Sequence, residues 1–351
     1  MGKRLAIVCG GALGGYVAGY LSREGHDLTL IDMWPAHVEA IRRDGLGLSG
    51  LTEPENFSVP VNTIHLSDVH DVSRQFGNFD IAFIATKSYD TVWAAQLIEP
   101  YLAPGGFAVS LQNGINEERL AGVVGWGRTV GCIASKIAVE LTEPGKIRRN
   151  VALGGKEHTV FRVGEAHGRI TPRVQYIADI LASVDSSMVS DNLWGERWTK
   201  LVINCMRNPV AAATGRGGNA NDTDPKTRDL ALRLAAEAIS VGKAHGYELG
   251  KVYGMSPDDI VAAVSGNNEA RQRCEDMLMK SVATRSDDQR PSMGQDMAKG
   301  RRTEIEYLNG LVVAKAAEVG VATPANAGIV DAVQRIERGE IAASPQAVAK
   351  I

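Results

Sequence analysis

Short apolar runs alternate with helical patterns through the first half of the chain. Apolar residues occupy both faces of several short segments, as is typical of strands buried in a parallel sheet; these segments are 4–9, 27–32, 79–86 and 107–111. Apolar positions recur with helical spacing at 15–23, 35–43 and 89–101. Buried strands that alternate with helices predict a parallel, doubly wound α/β sheet.

The pattern changes near residue 131. Pro144-Gly145 is a turn signal between two extended stretches, so we expect a hairpin-like extension of the sheet there. One further helix is predicted at 172–184, because a proline at its first turn precedes apolar positions with helical spacing.

Strand patterns end after about Asn192. Long helical patterns continue from there through Arg338, interrupted by glycines and by a loop near Asp287 to Pro291. A chain of 351 residues is also too long for one ordinary core. We therefore predict an N-terminal doubly wound domain at 1–190 and a C-terminal all-helical domain at 191–351.

A glycine-rich turn joins the first predicted strand to the first helix, in the sequence IVCGGALGG at 7–15. A Rossmann dinucleotide site needs small residues at this place, because the turn is tight, the backbone approaches the pyrophosphate and the helix lies close to the strand. The free N–H groups at the helix N-terminus then face the phosphates. The alternative is a glycine-rich turn that binds no ligand.

Two registers of the pattern G-x-G-x-x-G fit this turn. The preferred register makes Gly11 and Gly14 the second and third glycines and puts Cys9 in place of the first, which suits cysteine only if its φ is negative. The other register uses Gly10 and Gly15, with an alanine in the middle position. The residues of the turn expected to bind a cofactor are Gly11, Ala12, Leu13 and Gly14.

Asp32 ends the second predicted strand. A carboxylate at this place accepts hydrogen bonds from the ribose hydroxyls of an adenosine and repels a 2′-phosphate. Met33 and Trp34 supply no compensating cation. The sequence therefore favours NAD over NADP, although a carboxylate that caps the helix beginning at Pro35 would explain the same residue.

A polar stripe lies inside an apolar helical pattern of the second half. Lys200, Asn204 and Asn208 are spaced by four residues, so they share one face of a helix, and the residues between them are mostly apolar. Buried amide and ammonium groups need partners, which suggests a polar cavity. A hydrogen-bonded structural network and an exposed polar stripe are the alternatives.

Together, the motifs of the chain resemble those of the ketopantoate reductase family. The segments that carry the resemblance are VCGGALGG at 8–15, Gln112-Asn113-Gly114, the pattern W-x-K-x-x-x-N-x-x-x-N-P at 198–209, and SMGQDMAKGRRTEI at 292–305. They follow the family's order across nearly the whole chain. The resemblance implies a Rossmann domain followed by a helical domain, and hydride transfer from a nicotinamide cofactor that reduces 2-dehydropantoate to pantoate.

The resemblance also implies roles for single residues. Lys200 matches the catalytic acid, and Glu304 matches a glutamate that holds the hydroxyl group of the substrate. A lysine is suited to this role, because hydride addition to a ketone leaves an alkoxide that an ammonium group stabilises and protonates. The positions that match substrate-binding residues are Asn113, Asn204, Asn208 and Ser292.

The cofactor site is implied to extend beyond the glycine turn. Asn113 matches a residue near the nicotinamide, and Lys87 resembles a position that contacts the cofactor and could also meet a phosphate. Two residues depart from the family pattern. Cys9 replaces the usual first glycine, and Asp32 stands where members that use NADPH tend to have a basic residue.

Composition and charge narrow the setting. A net charge of -3 and a pI near 6.2 argue against a nucleic-acid partner, and no stretch approaches the ~20 apolar residues of a membrane span. The basic start Lys3-Arg4 precedes an apolar run of about six residues that is a strand rather than a leader segment. Four scattered cysteines and seven histidines show no metal or disulfide spacing, so we expect no metal and a reducing compartment.

These features predict a cytoplasmic NAD(P)-dependent enzyme that acts on a small oxo or hydroxy acid, with the helical half as a candidate homodimer surface. A related NAD-dependent hydroxy-acid dehydrogenase with a different substrate, for instance in a catabolic setting, is the first alternative. A dinucleotide-binding module without activity is the second, and the presence of Lys200 and both asparagines disfavours it.

Overall fold

The computed structural model describes residues 2–283 and 290–351 of the chain. Close contacts divide the chain into two units, Met1–Leu193 and Trp194–Ile351. The loop expected near Asp287 to Pro291 lies mostly outside the described residues. None of the described helices is both long enough and apolar enough to cross a membrane.

The strands belong to the first unit and are short. In chain order they are β1 (Leu5–Val8), β2 (Leu28–Asp32), β3 (Leu46–Ser49), β4 (Phe57–Val59), β5 (Asn62–His65), β6 (Phe79–Ile84), β7 (Leu102–Ser110), β8 (Thr129–Ala134), β9 (Val139–Glu143), β10 (Lys146–Arg149), β11 (Phe161–Gly164) and β12 (Ser187–Ser190).

Helices connect these strands and make up the second unit. Those that lie between strands are α1 (Ala12–Arg23), α2 (Pro35–Asp44), α3 (Val69–Phe76), α4 (Thr91–Ile98), α5 (Glu117–Val124) and α6 (Pro172–Leu181). The helices that follow are α7 (Leu193–Thr214), α8 (Gly218–Thr223), α9 (Pro225–Ala244), α10 (Pro257–Val264), α11 (Asn268–Val282), α12 (Ser292–Ala298), α13 (Asn309–Val319) and α14 (Pro324–Glu337).

The main sheet has eight strands in the order β12-β11-β8-β7-β6-β1-β2-β5. Its neighbouring strands are parallel except for β11, which runs antiparallel to β8. The predicted Rossmann-like domain followed by a helical domain is confirmed, with a mixed rather than a wholly parallel sheet. Because the chain runs outward from β1 through β2 to β5 and then returns to β6 on the other side of β1, a ligand crevice is expected at the carboxyl ends of β1 and β6.

The prediction that the Pro144-Gly145 hairpin extends the main sheet is wrong. The turn does join two antiparallel strands, β9 and β10, but they belong to a separate four-stranded sheet in the order β4-β3-β10-β9. β10 pairs with β3 and not with the edge of the main sheet, where β11 lies beside β8 instead. Ile147 of β10 packs against the small Gly15 of α1, so the hairpin lies over the first helix.

The second unit is a set of helices packed around α9. Trp198 of α7 is almost completely buried, and its indole N–H donates to the carbonyl of Ala238 on α9 at 2.7 Å. Gly242 makes room for this ring, because a Cβ there would lie 2.3 Å from the indole. Since Lys200 lies about 200° around the helix from Trp198, this contact turns Lys200 away from α9.

Candidate functional site

The glycine turn brings β1 and α1 close together. A Cβ on Gly14 would lie 2.2 Å from the carbonyl oxygen of Cys9, so only glycine fits at this position. This close approach matches the role of the third glycine in the preferred register. Gly11 is the N-cap residue of α1 and has no side chain to cap the helix, so the amides of Ala12 and Leu13 are left uncapped by that residue.

The backbone of Cys9 does not have the negative φ that the sequence analysis expected. Its φ is +82°, whereas the sequence interpretation required a negative value. Residues with a Cβ rarely adopt this region, and a glycine adopts it without strain. Cys9 therefore holds the conformation suited to the first glycine while carrying a side chain. Burial, and secondarily the charge of Asp32, raise the pKa of its thiol to about 11, so the thiol is neutral near pH 7.

Asp32 ties the end of β2 to the glycine turn. One carboxylate oxygen accepts the N–H of Gly10 at 2.6 Å, and the other accepts the N–H of Trp34 at 2.8 Å. Trp34 is the N-cap residue of helix α2, so the carboxylate also satisfies a backbone N–H at the start of that helix, as the capping alternative expects. The carboxylate is buried at the place where the sequence predicted a ribose-binding acid.

The carboxyl ends of β6 and β7 are joined by one amide side chain. The Nε2 amide nitrogen of Gln112 donates to the carbonyl and hydroxyl of Thr86 at 3.0 and 3.1 Å and to the hydroxyl of Thr91 at 2.8 Å. Asn113 follows directly, and Lys87 follows Thr86. The structure therefore brings Lys87 and Asn113 to the same edge of the sheet as the glycine turn. Gln112 belonged to a recognised motif but had no predicted role.

Lys200 and Asn204 share the face of α7 opposite Trp198. Lys200 is half-buried, and burial lowers the pKa of its ammonium group to about 8, with no carboxylate of the described residues acting against that shift. Asn204 is 6% exposed, and its amide nitrogen has no hydrogen-bond partner within the described part of the chain. Asn208 is buried as well. Buried asparagines exclude the exposed stripe, and the unsatisfied amide nitrogen argues against a complete structural network.

A proline inside α7 shapes the helix next to this stripe. Pro209 has no N–H, so the carbonyl of Cys205 loses its partner within the helix. The side-chain amide of Asn309 on α13 donates to that carbonyl at 3.1 Å and to Asn326 of α14 at 2.9 Å. The carbonyl that the proline releases is therefore satisfied by a buried network behind the stripe.

Arg207 also belongs to the polar side of α7, although the sequence interpretation missed it. It is seven residues after Lys200 and therefore lies close to it in direction around the helix. Its guanidinium is ion-paired with the buried Asp222 and lies 4.7 Å from the ring centre of Tyr253. The spacing of seven residues was the available signal, but it is equally common among ordinary core positions.

The residues from the last motif lie in two places of the second unit. Ser292 is the half-buried first residue of α12, and this helix packs against α7, where a Cβ on Gly294 would lie 3.3 Å from the Cβ of Ala211. Ala211 lies nearly one turn beyond Asn208, so α12 begins beside the end of the stripe. Glu304 is buried, and its side chain does not cap the short helical turn that follows it. Simple helix initiation therefore does not explain this carboxylate.

Two matches to known protein families identify the family of this chain. The family described as "Ketopantoate reductase PanE/ApbA" matches residues 5–162, and "Ketopantoate reductase PanE/ApbA C terminal" matches residues 192–337. The chain belongs to the ketopantoate reductase family. It is therefore an oxidoreductase, as the motifs predicted.

Relatives and solved structures of the ketopantoate reductase family cover nearly the full chain. The 2-dehydropantoate 2-reductase of Pyrococcus horikoshii is 28% identical over 92% of this chain and 94% of its own length. That of Archaeoglobus fulgidus is 28% identical over 96% of this chain and 99% of its own length. A PanE/ApbA family ketopantoate reductase from Ralstonia eutropha has a TM-score of 0.77 at 27% identity, covering 96% of this chain and 99% of that chain.

Two more distant structures share the fold of this ketopantoate reductase family member. A D-mandelate dehydrogenase solved with NADH and anilino(oxo)acetate has a TM-score of 0.77 at 20% identity and covers 96% of this chain and 98% of that one. A dimeric ketopantoate reductase from Staphylococcus aureus has a TM-score of 0.69 at 17% identity and covers 96% of this chain and all of that one.

Proposed function

We propose that this protein reduces 2-dehydropantoate to pantoate with a reduced nicotinamide cofactor, and that Lys200 is the catalytic acid. The observation that carries the proposal is the ammonium group of Lys200, whose pKa is lowered to about 8 by burial without a counter-ion among the described residues. The relatives named 2-dehydropantoate 2-reductase, which match over almost the full chain, supply the substrate.

The cofactor, when bound, supplies the hydride. Addition of hydride to the ketone carbon turns its oxygen into an alkoxide, and the Lys200 ammonium gives that oxygen a proton. A pKa near 8 suits this step, because the lysine is mostly protonated at neutral pH and still releases its proton readily. Asn204, with a buried amide nitrogen that lacks a partner among the described residues, is suited to donate to a substrate oxygen.

The remaining substrate contacts rest on the family match and on placement within each unit. Asn208 shares the buried side of α7, Ser292 begins the helix packed beside it, and Glu304 is a buried carboxylate suited to accept a hydroxyl of the substrate. Asn113 lies at the edge of the sheet where nicotinamide is expected. These residues are proposed to bind the substrate, with Glu304 also acting in catalysis.

The glycine turn fits a dinucleotide. Gly14 allows the close approach of α1 to β1, and the first turn of α1 has no side-chain cap, so its amides suit the pyrophosphate. The residues proposed to hold the cofactor are Gly11, Ala12, Leu13, Gly14, Asp32, Lys87 and Asn113.

NAD is proposed as the preferred cofactor. Asp32 is buried and held by two backbone N–H groups, so its carboxylate remains at the end of β2, where a 2′-phosphate would meet it. The D-mandelate dehydrogenase of the same fold was solved with NADH. The test is to measure kcat/KM with NADH and NADPH; a preference for NADPH of about tenfold or more would contradict the proposal. The Asp32→Asn variant should shift the ratio toward NADPH.

A hydroxy-acid dehydrogenase with another substrate is the second candidate. The carboxylate at Asp32 favours it, since NAD is the usual oxidant in hydroxy-acid oxidation. A screen of 2-oxo and 2-hydroxy acids in both directions distinguishes the two candidates. Turnover of 2-dehydropantoate supports the first, whereas its inertness together with turnover of another acid supports the second. Absence of turnover with every acid would favour a non-catalytic binding module.

The setting of the reaction is proposed on similar grounds. All four cysteines are free thiols, which fits a reducing compartment such as the cytoplasm. The dimeric relative from Staphylococcus aureus supports a homodimer. Sedimentation or light scattering of the purified protein tests this state directly.

A further inference from the structure

His37 of α2 is buried beside the glycine turn. It is 1% exposed, and its Nε2 lies 2.9 Å from the carbonyl oxygen of Gly10. Its Nδ1 lies 2.9 Å from the backbone nitrogen of Gly145, at the tip of the β9–β10 hairpin. The indole of Trp34 stacks on the imidazole, with ring centres 5.8 Å apart and an angle of 15° between the planes.

The two contacts determine the tautomer of His37. A backbone N–H only donates, so Nδ1 must accept the hydrogen bond from Gly145. A carbonyl oxygen only accepts, so Nε2 must carry the proton and donate to Gly10. The imidazole is therefore neutral, with its proton on Nε2, and it connects the hairpin to the glycine turn.

Gly10 is held through both of its backbone polar groups. Asp32 accepts its N–H at 2.6 Å, and His37 donates to its carbonyl at 2.9 Å. Gly10 directly follows Cys9, whose φ of +82° is unfavourable for a residue with a side chain. Such a conformation persists only where the surroundings determine it. The N–H of Cys9 donates to the carbonyl of Ile31 at 2.8 Å on one side of this residue, and the two hydrogen bonds to Gly10 hold the peptide on its other side.

We propose that His37 is a positioning residue for the cofactor: by holding the Gly10 carbonyl it keeps the strained Cys9 turn in the shape that presents the α1 amides to the pyrophosphate. The inference rests on the proposed function, because it assumes that this turn binds a nicotinamide dinucleotide. The glycine usual at the first position would not need this support, so the dependence on His37 is tied to cysteine at position 9.

Two variants separate the two hydrogen bonds of His37 in the full-length protein. In His37→Gln the side-chain amide reaches the place of Nε2 and can still donate to Gly10. In His37→Asn the shorter amide reaches only the place of Nδ1 and can still accept from Gly145. Dissociation constants of NADH and NADPH are measured by quenching of protein fluorescence, and KM and kcat are measured for the cofactor that binds more tightly.

His37→Asn should weaken cofactor binding by about tenfold, the effect of one hydrogen bond lost next to a strained turn. His37→Gln should stay within about threefold of the parent protein. kcat at saturating cofactor and KM for the oxo acid should be unchanged in both variants, because His37 acts on the cofactor turn alone. If His37 had a purely structural role, its substitution would lower the stability of the protein without raising the cofactor KM selectively over kcat.

The double variant Cys9→Gly/His37→Asn gives the decisive measurement. Glycine relieves the strain at position 9, so this protein should regain cofactor affinity to within about threefold of the parent. If His37→Asn alone fails to fold, the double variant is compared directly with Cys9→Gly, and about equal affinities are expected. If His37→Asn and His37→Gln weaken cofactor binding equally, or if the double variant does not regain affinity, the inference about His37 is wrong. Either result leaves the proposed function standing. A parent protein that binds neither NADH nor NADPH would overturn the proposed function as well.

Discussion

The glycine turn and the polar stripe of α7 differ in whether their polar groups have partners. At the turn, the N–H and the carbonyl of Gly10 both have partners, as do both oxygens of Asp32 and both ring nitrogens of His37. On α7, the Lys200 ammonium has a pKa lowered by burial alone, and the amide nitrogen of Asn204 has no partner among the described residues.

This difference is what we expect if the glycine turn is a rigid binding scaffold and the stripe of α7 is a reactive site. A turn whose side chains are satisfied internally can hold backbone amides in place before any ligand arrives. Buried groups that lack partners lower the stability of the fold, so they are expected where a ligand completes them. Substitutions on the stripe should therefore lower activity with little loss of stability, whereas substitutions around the turn should change stability and cofactor affinity together.

The largest expected effect is the loss of the catalytic acid. Lys200→Ala should lower kcat by about a hundredfold to ten-thousandfold, the usual contribution of a general acid, while the cofactor still binds. Steady-state kinetics and cofactor titration measure both quantities. Lys226→Ala, which removes an exposed lysine of the same unit, is the control and should leave kcat unchanged. A Lys200→Ala protein with kcat within about tenfold of the parent would contradict the proposed role.

The pH dependence should follow the pKa of Lys200. Because the acid must be protonated to reduce the oxo acid, kcat for reduction should be constant below about pH 8 and fall about tenfold per pH unit above it, whereas oxidation should show the opposite trend. Kinetics between about pH 6 and about pH 10 in both directions measure this, with the range set by the expected pKa. A flat profile across that range would argue for another acid.

Stability should depend on the same group. The pKa of Lys200 is about 8 in the folded protein against an ordinary value of 10.5, so between these values the unfolded chain binds more protons and the free energy of unfolding rises with pH. Since one pKa unit corresponds to about 1.4 kcal/mol, the penalty on the charged form below about pH 8 is at most about 3.5 kcal/mol. Denaturant unfolding of Lys200→Met should not show this rise with pH. If the free energy of unfolding rises with pH equally in the variant and the parent protein, Lys200 is not its cause.

Two buried asparagines provide a matched pair. Asn326 donates to Glu237 and to the carbonyl of Leu234 and accepts from Asn309, so Asn326→Leu should lower the free energy of unfolding by about 2 kcal/mol or more. Asn204→Leu removes an unsatisfied amide nitrogen and should change stability by less than about 1 kcal/mol, yet lower kcat/KM by about tenfold. Chemical denaturation and kinetics of both variants test the contrast. Equal destabilisation would show that Asn204 has a structural role.

The smallest effect is expected at Cys9. Glycine would relieve a left-handed strain worth roughly 1–3 kcal/mol and lose about 0.5–1 kcal/mol to its greater freedom in the unfolded chain. Cys9→Gly should therefore raise the free energy of unfolding by about 1 kcal/mol. Thermal and denaturant unfolding measure the change. Cys9→Ala keeps the strain and is the control, so a gain as large with alanine would mean that the thiol and not the backbone is responsible.

Some parts of the fold were predictable because neighbouring residues in the chain determine them. β1, β2, β6 and β7 are apolar on both faces, and each lies within or close to its predicted segment. The strands of the second sheet are short and partly exposed, and β3 pairs with β10 about a hundred residues later, so no local pattern could assign them. For that reason the hairpin was assigned to the wrong sheet.

The site shows the same division. The four-residue spacing placed Lys200, Asn204 and Asn208 on one side of a helix, and glycine content located the turn after β1. The same spacing did not show whether the asparagines were exposed, part of a hydrogen-bonded network or buried without hydrogen-bond partners, because burial depends on helices far along the chain. Arg207 and Gln112 were missed since their partners, Asp222 and Thr86, come from other elements.

Local patterns in the sequence were enough to predict the alternation of strands and helices, the all-helical second half, the glycine turn and the shared face of the α7 residues, because each depends on residues a few positions apart. The positive φ of Cys9, the tautomer of His37 and the lowered pKa of Lys200 became visible only in the folded chain. Each depends on atoms brought close by folding, such as the Gly145 amide beside His37, and spacing along a chain carries no information about such distant contacts.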